Sequence, residues 1–311
     1  MIHWTCIDSA EIMRFIGLKC LIWVSLLWPA CREASAQTEE QRSHVDFFSG
    51  VDFNYRNIHF NDRLYDLLIN LTPGVKWHMG RHWQLAASGL VPVVNQYGDR
   101  YKKVRLDVMS LSKELFLPKR QFLKVSGGLF GGERYGVDVK WMFPVNAWLA
   151  FDGQVGLTGY CSMARDWECS RMERLTGTLG ARAYLTRYNT EFRLCGGRYL
   201  FEDYGATGEC MRHFRHCTVG VYAQYSDRGK ENGGFKIVMM IPPYTRRTRK
   251  VNVRPASNFR LTYNAQADPY SMRTYITDPE ENEREGNFDR GRLKWGSNGM
   301  EADFKEKGGG L

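Results

Sequence analysis

Two stretches of this chain alternate for longer than an ordinary strand lasts. From Ala147 to Gly159, one face carries Ala147, Leu149, Phe151, Gly153, Val155, Leu157 and Gly159, and the other carries Trp148, Ala150, Asp152, Gln154, Gly156 and Thr158. From Arg174 to Thr186, Leu175, Gly177, Leu179, Ala181, Ala183 and Leu185 stand against Arg174, Thr176, Thr178, Gly180, Arg182, Tyr184 and Thr186. A period of two is the signature of a strand with one apolar and one polar face. Strands of soluble sheets average about 5–6 residues, whereas a strand that crosses a bilayer at a tilt needs about 9–11. The expected fold is therefore all-β, an antiparallel transmembrane β-barrel of about 12 strands, roughly 10–14 with even numbers favoured. The rival is a soluble barrel or sandwich with the same faces turned inside out.

The rest of the chain repeats the theme. Val45, Phe47, Val51, Phe53 and Tyr55 share a face, as do Leu71, Val75 and Trp77, with Pro73 at a bulge or edge. Trp83 to Val93 alternates, and Val104, Leu106 and Val108 oppose Arg105, Asp107 and Met109. Thr218 to Tyr225 and Phe235 to Ile241 alternate on either side of Gly229 and the Asn232-Gly233-Gly234 break, and Asn258 to Ala265 reads as a last strand. Asn61 to Leu68 is ambiguous and could form a helical turn. Abundant glycine (31) with sparse proline (10) suits many strands joined by turns. Trp77, Trp83, Trp141 and Trp148 fall near strand ends, where a membrane barrel carries aromatic girdles. The barrel is expected over residues 37–265, followed by a polar, disordered tail over 266–311 in which charge and glycine dominate.

The N-terminus reads as an address. Arg14 and Lys19 precede a short apolar core, Leu21 to Trp28, and Ala34-Ser35-Ala36 forms an A-x-A cleavage site. A signal peptide over 13–36 follows, with 1–12 as an upstream extension and Gln37 as the mature start. With the strand pattern, this predicts the outer membrane of a Gram-negative bacterium, with outer-membrane lipid as the surrounding medium. The formal charge of +9 is scattered, and the one dense basic run, Arg246-Arg247-Thr248-Arg249-Lys250, reads as a solvated loop, so nucleic acid is not an expected partner. No G-x-S-x-G, H-E-x-x-H or P-loop is present, and neither an enzymatic activity nor a cofactor is expected. Cys161 and Cys169 flank a polar segment that a disulfide could close. Cys210 and Cys217 would meet if a hairpin turned at His213-Phe214; free thiols, a disulfide or a metal set with His213 and His216 are the three readings.

On the polar face, Arg105, Asp107, Asp152, Arg174, Arg182 and Arg193 would line a lumen. An Arg-rich lining favours acidic sugars or other anions; a lumen-filling network of ion pairs is the other outcome.

Several short motifs carry a resemblance. Glu133-Arg134-Tyr135-Gly136-Val137-Asp138 follows a Gly-rich strand; Gly197-Arg198-Tyr199-Leu200 comes next with Asp203 and Gly205; then Arg212 and Phe214; then Gly233-Gly234-Phe235 leading to Ile241-Pro242. In these the chain resembles the YjbH-type outer-membrane proteins encoded with exopolysaccharide genes, over roughly Leu123 to Pro243. The resemblance implies an outer-membrane β-barrel that takes part in exopolysaccharide secretion or assembly, without an enzymatic role, and with acidic exopolysaccharide and periplasmic export proteins as partners. Gly197, Arg198, Tyr199, Asp203, Arg212, Phe214, Gly234 and Phe235 carry over as motif positions. A structural or adhesion barrel without a transport path, and an outer-membrane lipid-modifying enzyme, are the alternatives.

Overall fold

The computed structural model describes residues 43–57, 65–118, 121–146, 148–163, 167–243, 250–254, 257–264, 274–281, 294–295 and 300–301. The expected extension and signal peptide lie outside these residues, as does the basic run apart from Lys250. No described residue is in an α-helix, and Tyr65 to Leu68 belong to a strand.

The strands in chain order are β1 (His44–Asn57), β2 (Tyr65–Met79), β3 (Trp83–Asn95), β4 (Arg105–Leu117), β5 (Gln121–Phe130), β6 (Arg134–Pro144), β7 (Leu149–Ser162), β8 (Glu168–Cys169), β9 (Arg174–Leu185), β10 (Thr190–Arg198), β11 (Tyr204–His213), β12 (Cys217–Ser226), β13 (Lys230–Ile241), β14 (Val251–Arg254) and β15 (Ser257–Asn264), with a small separate hairpin of β16 (Lys294–Trp295) and β17 (Met300–Glu301). Consecutive strands pair antiparallel from β1 through β7 and from β9 through β13, and β7 pairs antiparallel with β9, with β8 set beside β7 off the ring. β13 pairs with β15, and β15 and β14 run parallel to β1, which also pairs with β2. The result is a closed barrel of 13 strands. The number falls within the expected range, but it is odd. In an up-and-down meander an odd count makes the first and last strands run the same way, so the seam is parallel while the other pairings of the ring are antiparallel, as expected.

Burial along the strands fixes which face looks where. In β12 every second residue is buried: Thr218, Gly220, Tyr222, Gln224 and Ser226 point inward, and Val219, Val221, Ala223 and Tyr225 point outward. The same parity holds around the ring. The interior takes Lys76, Gln84, Ser110, Ser112, Glu114, Ser126, Asp138, Thr158, Glu191, His213 and Thr218. The exterior takes Phe47, Leu71, Leu85, Leu111, Val137, Val155, Leu157, Leu175, Leu179, Leu194 and Val221, all large apolar side chains left exposed. A soluble barrel buries its apolar face because that is where area removed from water stabilises it. This barrel does the reverse, and the inside-out rival meets the wrong polarity.

One stretch departs from the expected alternation. A register shift between β3 and β4 falls at Ser88/Gly89, opposite Asp107. The extra residue turns Val108 inward, fully buried, and Met109 outward. Beyond Leu106, the faces expected for β4 are therefore exchanged.

The aromatic residues gather at the two ends. Trp77, Trp83 and Trp148 are exposed at the end that carries the start of β1, and Trp141 donates there to Gln121. Phe201, Tyr204, Tyr225 and Phe235 are exposed toward the opposite end.

Candidate functional site in the barrel lumen

The lumen is not empty. Residues 274–281, which sequence patterning assigns to the polar tail, lie inside the barrel. Two wall glycines make the room. A Cβ on Gly156 would sit 1.7 Å from the Tyr275 hydroxyl, and one on Gly131 would sit 2.4 Å from Ile276 Cγ1. Tyr275 stacks on Phe130, ring centroids 5.5 Å apart, and packs with Leu200. Its hydroxyl donates to Asp138 at 2.6 Å. Gly131 N–H donates to the Ile276 carbonyl at 2.9 Å, and the Ser110 hydroxyl to the Thr277 carbonyl at 2.7 Å. The segment forms no strand ladder with the wall; among the described residues its hold is mainly through side chains.

Its acidic end meets the wall's cations. Asp278 Oδ2 lies 2.9 Å from Lys76 Nζ, 3.2 Å from Lys124 Nζ and 2.8 Å from Gln84 Nε2. Arg254 reaches Glu280 at 2.6 Å and Asp46 at 3.0 Å, and Lys140 pairs with Glu281. Lys76 and Arg254 are 2% and 5% exposed, so these pairs sit away from bulk water and are screened little by salt. Glu280 and Glu281 close a turn back on Asp278: Glu280 N–H donates to Asp278 Oδ1 and Glu281 N–H to the Asp278 carbonyl, both at 3.1 Å.

The wall from β7 to β12 carries a second set of ion pairs, made from its own residues. Asp152 accepts from Arg182 Nε at 3.0 Å and Arg193 at 2.8 Å. Neighbouring Glu191 bonds His213 Nε2 at 3.0 Å, and His213 Nδ1 meets the Thr218 hydroxyl at 2.7 Å. Glu, His and Thr in a row resemble a nucleophile with its base. Thr218 is 1% exposed, however, and no carbonyl substrate reaches it in this conformation; here the trio joins three neighbouring strands.

Of the six candidate lining residues, Asp152, Arg182 and Arg193 thus come together in one cluster. Arg174 stands apart at the rim, 3.0 Å from Glu202. Arg105 lies over the Tyr101 ring at 5.1 Å, near the loop between β3 and β4, and Asp107 occupies the β4 irregularity. Lys76, Lys124, Lys140 and Arg254, which hold the inserted segment, were not among the candidates. Alternation in β2 sets Lys76 opposite Leu71, Val75 and Trp77, but Arg254 falls outside the strands expected from the sequence, and nothing local singles out any of the four.

Four of the motif positions, Gly197, Arg198, Tyr199 and Asp203, cluster at the β10–β11 hairpin, and the other four lie away from it. Gly197 has φ +157°, and a Cβ there would lie 2.0 Å from the Gly177 carbonyl oxygen on β9, so only glycine fits. Tyr199 is buried, its hydroxyl 2.9 Å from Thr207 Oγ1, and its N–H donates to the carbonyl of fully buried Asp203 at 2.8 Å. Arg198 pairs with Glu202 at 3.3 Å. Arg212 lies outside, over Phe214 at 5.8 Å. Gly234 pairs with Asn264 across the β13–β15 ladder, and Phe235 stacks on Tyr263 at 5.1 Å.

Cys161 and Cys169 form a disulfide that staples the β7–β9 connection. Cys210 and Cys217 are free. The β11–β12 hairpin pairs His213 with Thr218 and Cys210 with Val221, so the turn lies two residues further on than a pairing of the two cysteines requires, and neither the disulfide nor a metal set forms there. Elsewhere, His44, Asp46 and His78 are buried with their donor atoms within 4.8 Å of one another. The two imidazoles are stacked at 4.2 Å and 16°, so their in-plane lone pairs run side by side, and Asn252 and Arg254 already donate to Asp46. That arrangement does not converge on one ion.

The comparisons agree with the motifs. The model of a family described as exopolysaccharide biosynthesis protein YbjH matches residues 79–242. No curated protein and no solved structure matches at a significant level. The matched stretch runs from the last residue of β2 to the residue after β13, and so takes in the Asp152 cluster and the Gly197–Asp203 hairpin, while the inserted segment lies beyond it. With more than half of its length under that match, the chain belongs to the YjbH family of exopolysaccharide biosynthesis proteins.

Proposed function

We propose that this barrel sits in the outer membrane of a Gram-negative bacterium and takes part in secretion or assembly of an exopolysaccharide, without enzymatic activity of its own. The observation that carries the reading is the inverted polarity of the barrel: an apolar exterior with aromatic ends, and an interior of charged and hydroxyl side chains. Lipid satisfies the first, and only a closed ring of strands keeps every backbone group bonded in hydrocarbon. Membership of an exopolysaccharide family supplies the polymer. The Asp152, Arg182 and Arg193 group and the Lys76, Lys124 and Arg254 group supply charge of the kind that an acidic polymer and its export partners would meet.

A barrel without a transport path is the second reading, and the inserted segment favours it, because residues 274–281 occupy the lumen. The test is a chromosomal deletion complemented with the wild type or with Arg174→Glu/Arg182→Glu, scored by surface polymer. Loss of polymer on deletion, and failure of the inserted double variant to restore it, support secretion through the lumen. Full restoration by the double variant supports the structural barrel, and unchanged polymer on deletion refutes the exopolysaccharide role.

A further inference from the structure

We propose that the inserted segment occupies a binding track for a carboxylate-bearing polysaccharide, and that the polymer and residues 274–281 compete for the same cations. This deepens the secretion reading and rests on it.

Three features of the segment and its seat point to exchange. First, the carboxylates of Asp278, Glu280 and Glu281 meet Lys76, Lys124, Arg254 and Lys140, a run of cations on the inner wall. Two ammonium groups converge on a single Asp278 oxygen, as they could on a uronate oxygen. Second, the lining between and above them is rich in hydroxyl and amide groups: Gln84, Ser110, Ser112, Ser126, Thr158 and Thr176 are all buried and inward. Sugar hydroxyls can replace the bonds that Gln84 and Ser110 now give to the segment. Third, a strand in the ladder could leave only by breaking a row of backbone bonds, whereas the segment forms no strand pair with the wall. Ionic and hydroxyl contacts of this kind can be exchanged one for one with an incoming polyanion, at the cost of a single wall backbone bond, from Gly131 N–H to the Ile276 carbonyl. Tyr275 and Ile276 are the exceptions, held by the stack on Phe130, the bond to Asp138 and the bond from Gly131 N–H, and they serve as the hinge end of the segment.

The probe is polygalacturonate, with dextran as the uncharged control, added to the full-length protein in detergent. Two readouts are used. In the wild type, amide exchange of residues 274–281 is expected to accelerate at least about tenfold with polygalacturonate and not with dextran. In a variant with Asp278→Asn, Glu280→Gln and Glu281→Gln, binding of polygalacturonate is expected to tighten at least about tenfold. A folded variant is recognised by gel mobility that changes on boiling. If the variant does not fold, wild-type exchange decides alone. Unchanged exchange in the wild type overturns the proposal, as does a folded variant that binds no better. An equal response to dextran does so too. These outcomes are separate from the deletion test: a deletion that leaves polymer export intact removes the cellular role, whereas the binding result decides whether the track exists.

Discussion

The two halves of the lumen solve the same problem by different routes. In the wall from β7 to β12, buried charge is matched locally: Asp152 is 30 residues from Arg182 and 41 from Arg193, and Glu191 is 22 from His213. In the wall from β2 to β6, it is matched by a segment from far along the chain: Asp278 is 194 residues from Gln84 and 154 from Lys124, and Tyr275 is 137 from Asp138. Local pairs form as adjacent strands zip together. The distant pairs join the wall to a segment that lies outside the ladder. The first half joins residues of the wall itself, and the second joins the wall to a segment held outside the ladder, the contact that the proposed exchange with polymer would break.

That contrast can be broken by substitution. Asp152→Ala leaves two guanidinium groups facing each other in a half-buried site, and is expected to lower barrel stability by about 3 kcal/mol, read as a shift in the urea midpoint of the reconstituted protein. Asp278→Asn is expected to act elsewhere. It weakens the segment's hold by about 2 kcal/mol, the scale of a charge-assisted bond, and raises amide exchange at residues 274–281 with little change in the urea midpoint. A matching fall in midpoint would mean that the segment is structural and that the contrast fails. Thr218→Val removes the hydroxyl at the end of the Glu191–His213 trio and is expected to cost about 1 kcal/mol of barrel stability, with exchange at 274–281 unaffected. Arg212→Ala touches neither half. Loss of its outward stack on Phe214 is expected to cost about 0.5 kcal/mol, which sets the floor for the other three in the same urea assay.

Legibility in the sequence divides along the same line. Alternation is a local signal, so most strands, their two faces and the polar-face placement of Asp152, Arg182 and Arg193 were readable from neighbouring residues, whereas the meeting of these three in one cluster was not. The Cys161–Cys169 pair was readable too, since the bond closes a short polar connection. Ring closure was not. Whether the count is odd depends on how β14 and β15 meet β1, and that contact joins the two ends of the barrel. The irregularity at Asp107, which sends Val108 inward, comes from the register with β3 and not from the β4 sequence. The inserted segment was the largest omission. Tyr275-Ile276-Thr277-Asp278-Pro279-Glu280-Glu281 has the composition of a solvated tail. It is ordered because the lumen wall is polar and offers Lys76, Lys124 and Arg254 at fixed positions. Composition rules for disorder assume that an ordered site must be apolar, and a polar lumen does not meet that assumption.

The most direct test of the whole account is the gel mobility of the protein extracted from fractionated cells, with and without boiling. The account expects the chain in the outer-membrane fraction, with a compact unboiled form that shifts on heating, since a closed ring of strands with an apolar exterior resists detergent. A soluble periplasmic protein with no heat-dependent shift would contradict it, because the exposed face of Phe47, Leu71, Val155, Leu179 and Val221 would then have no lipid to meet.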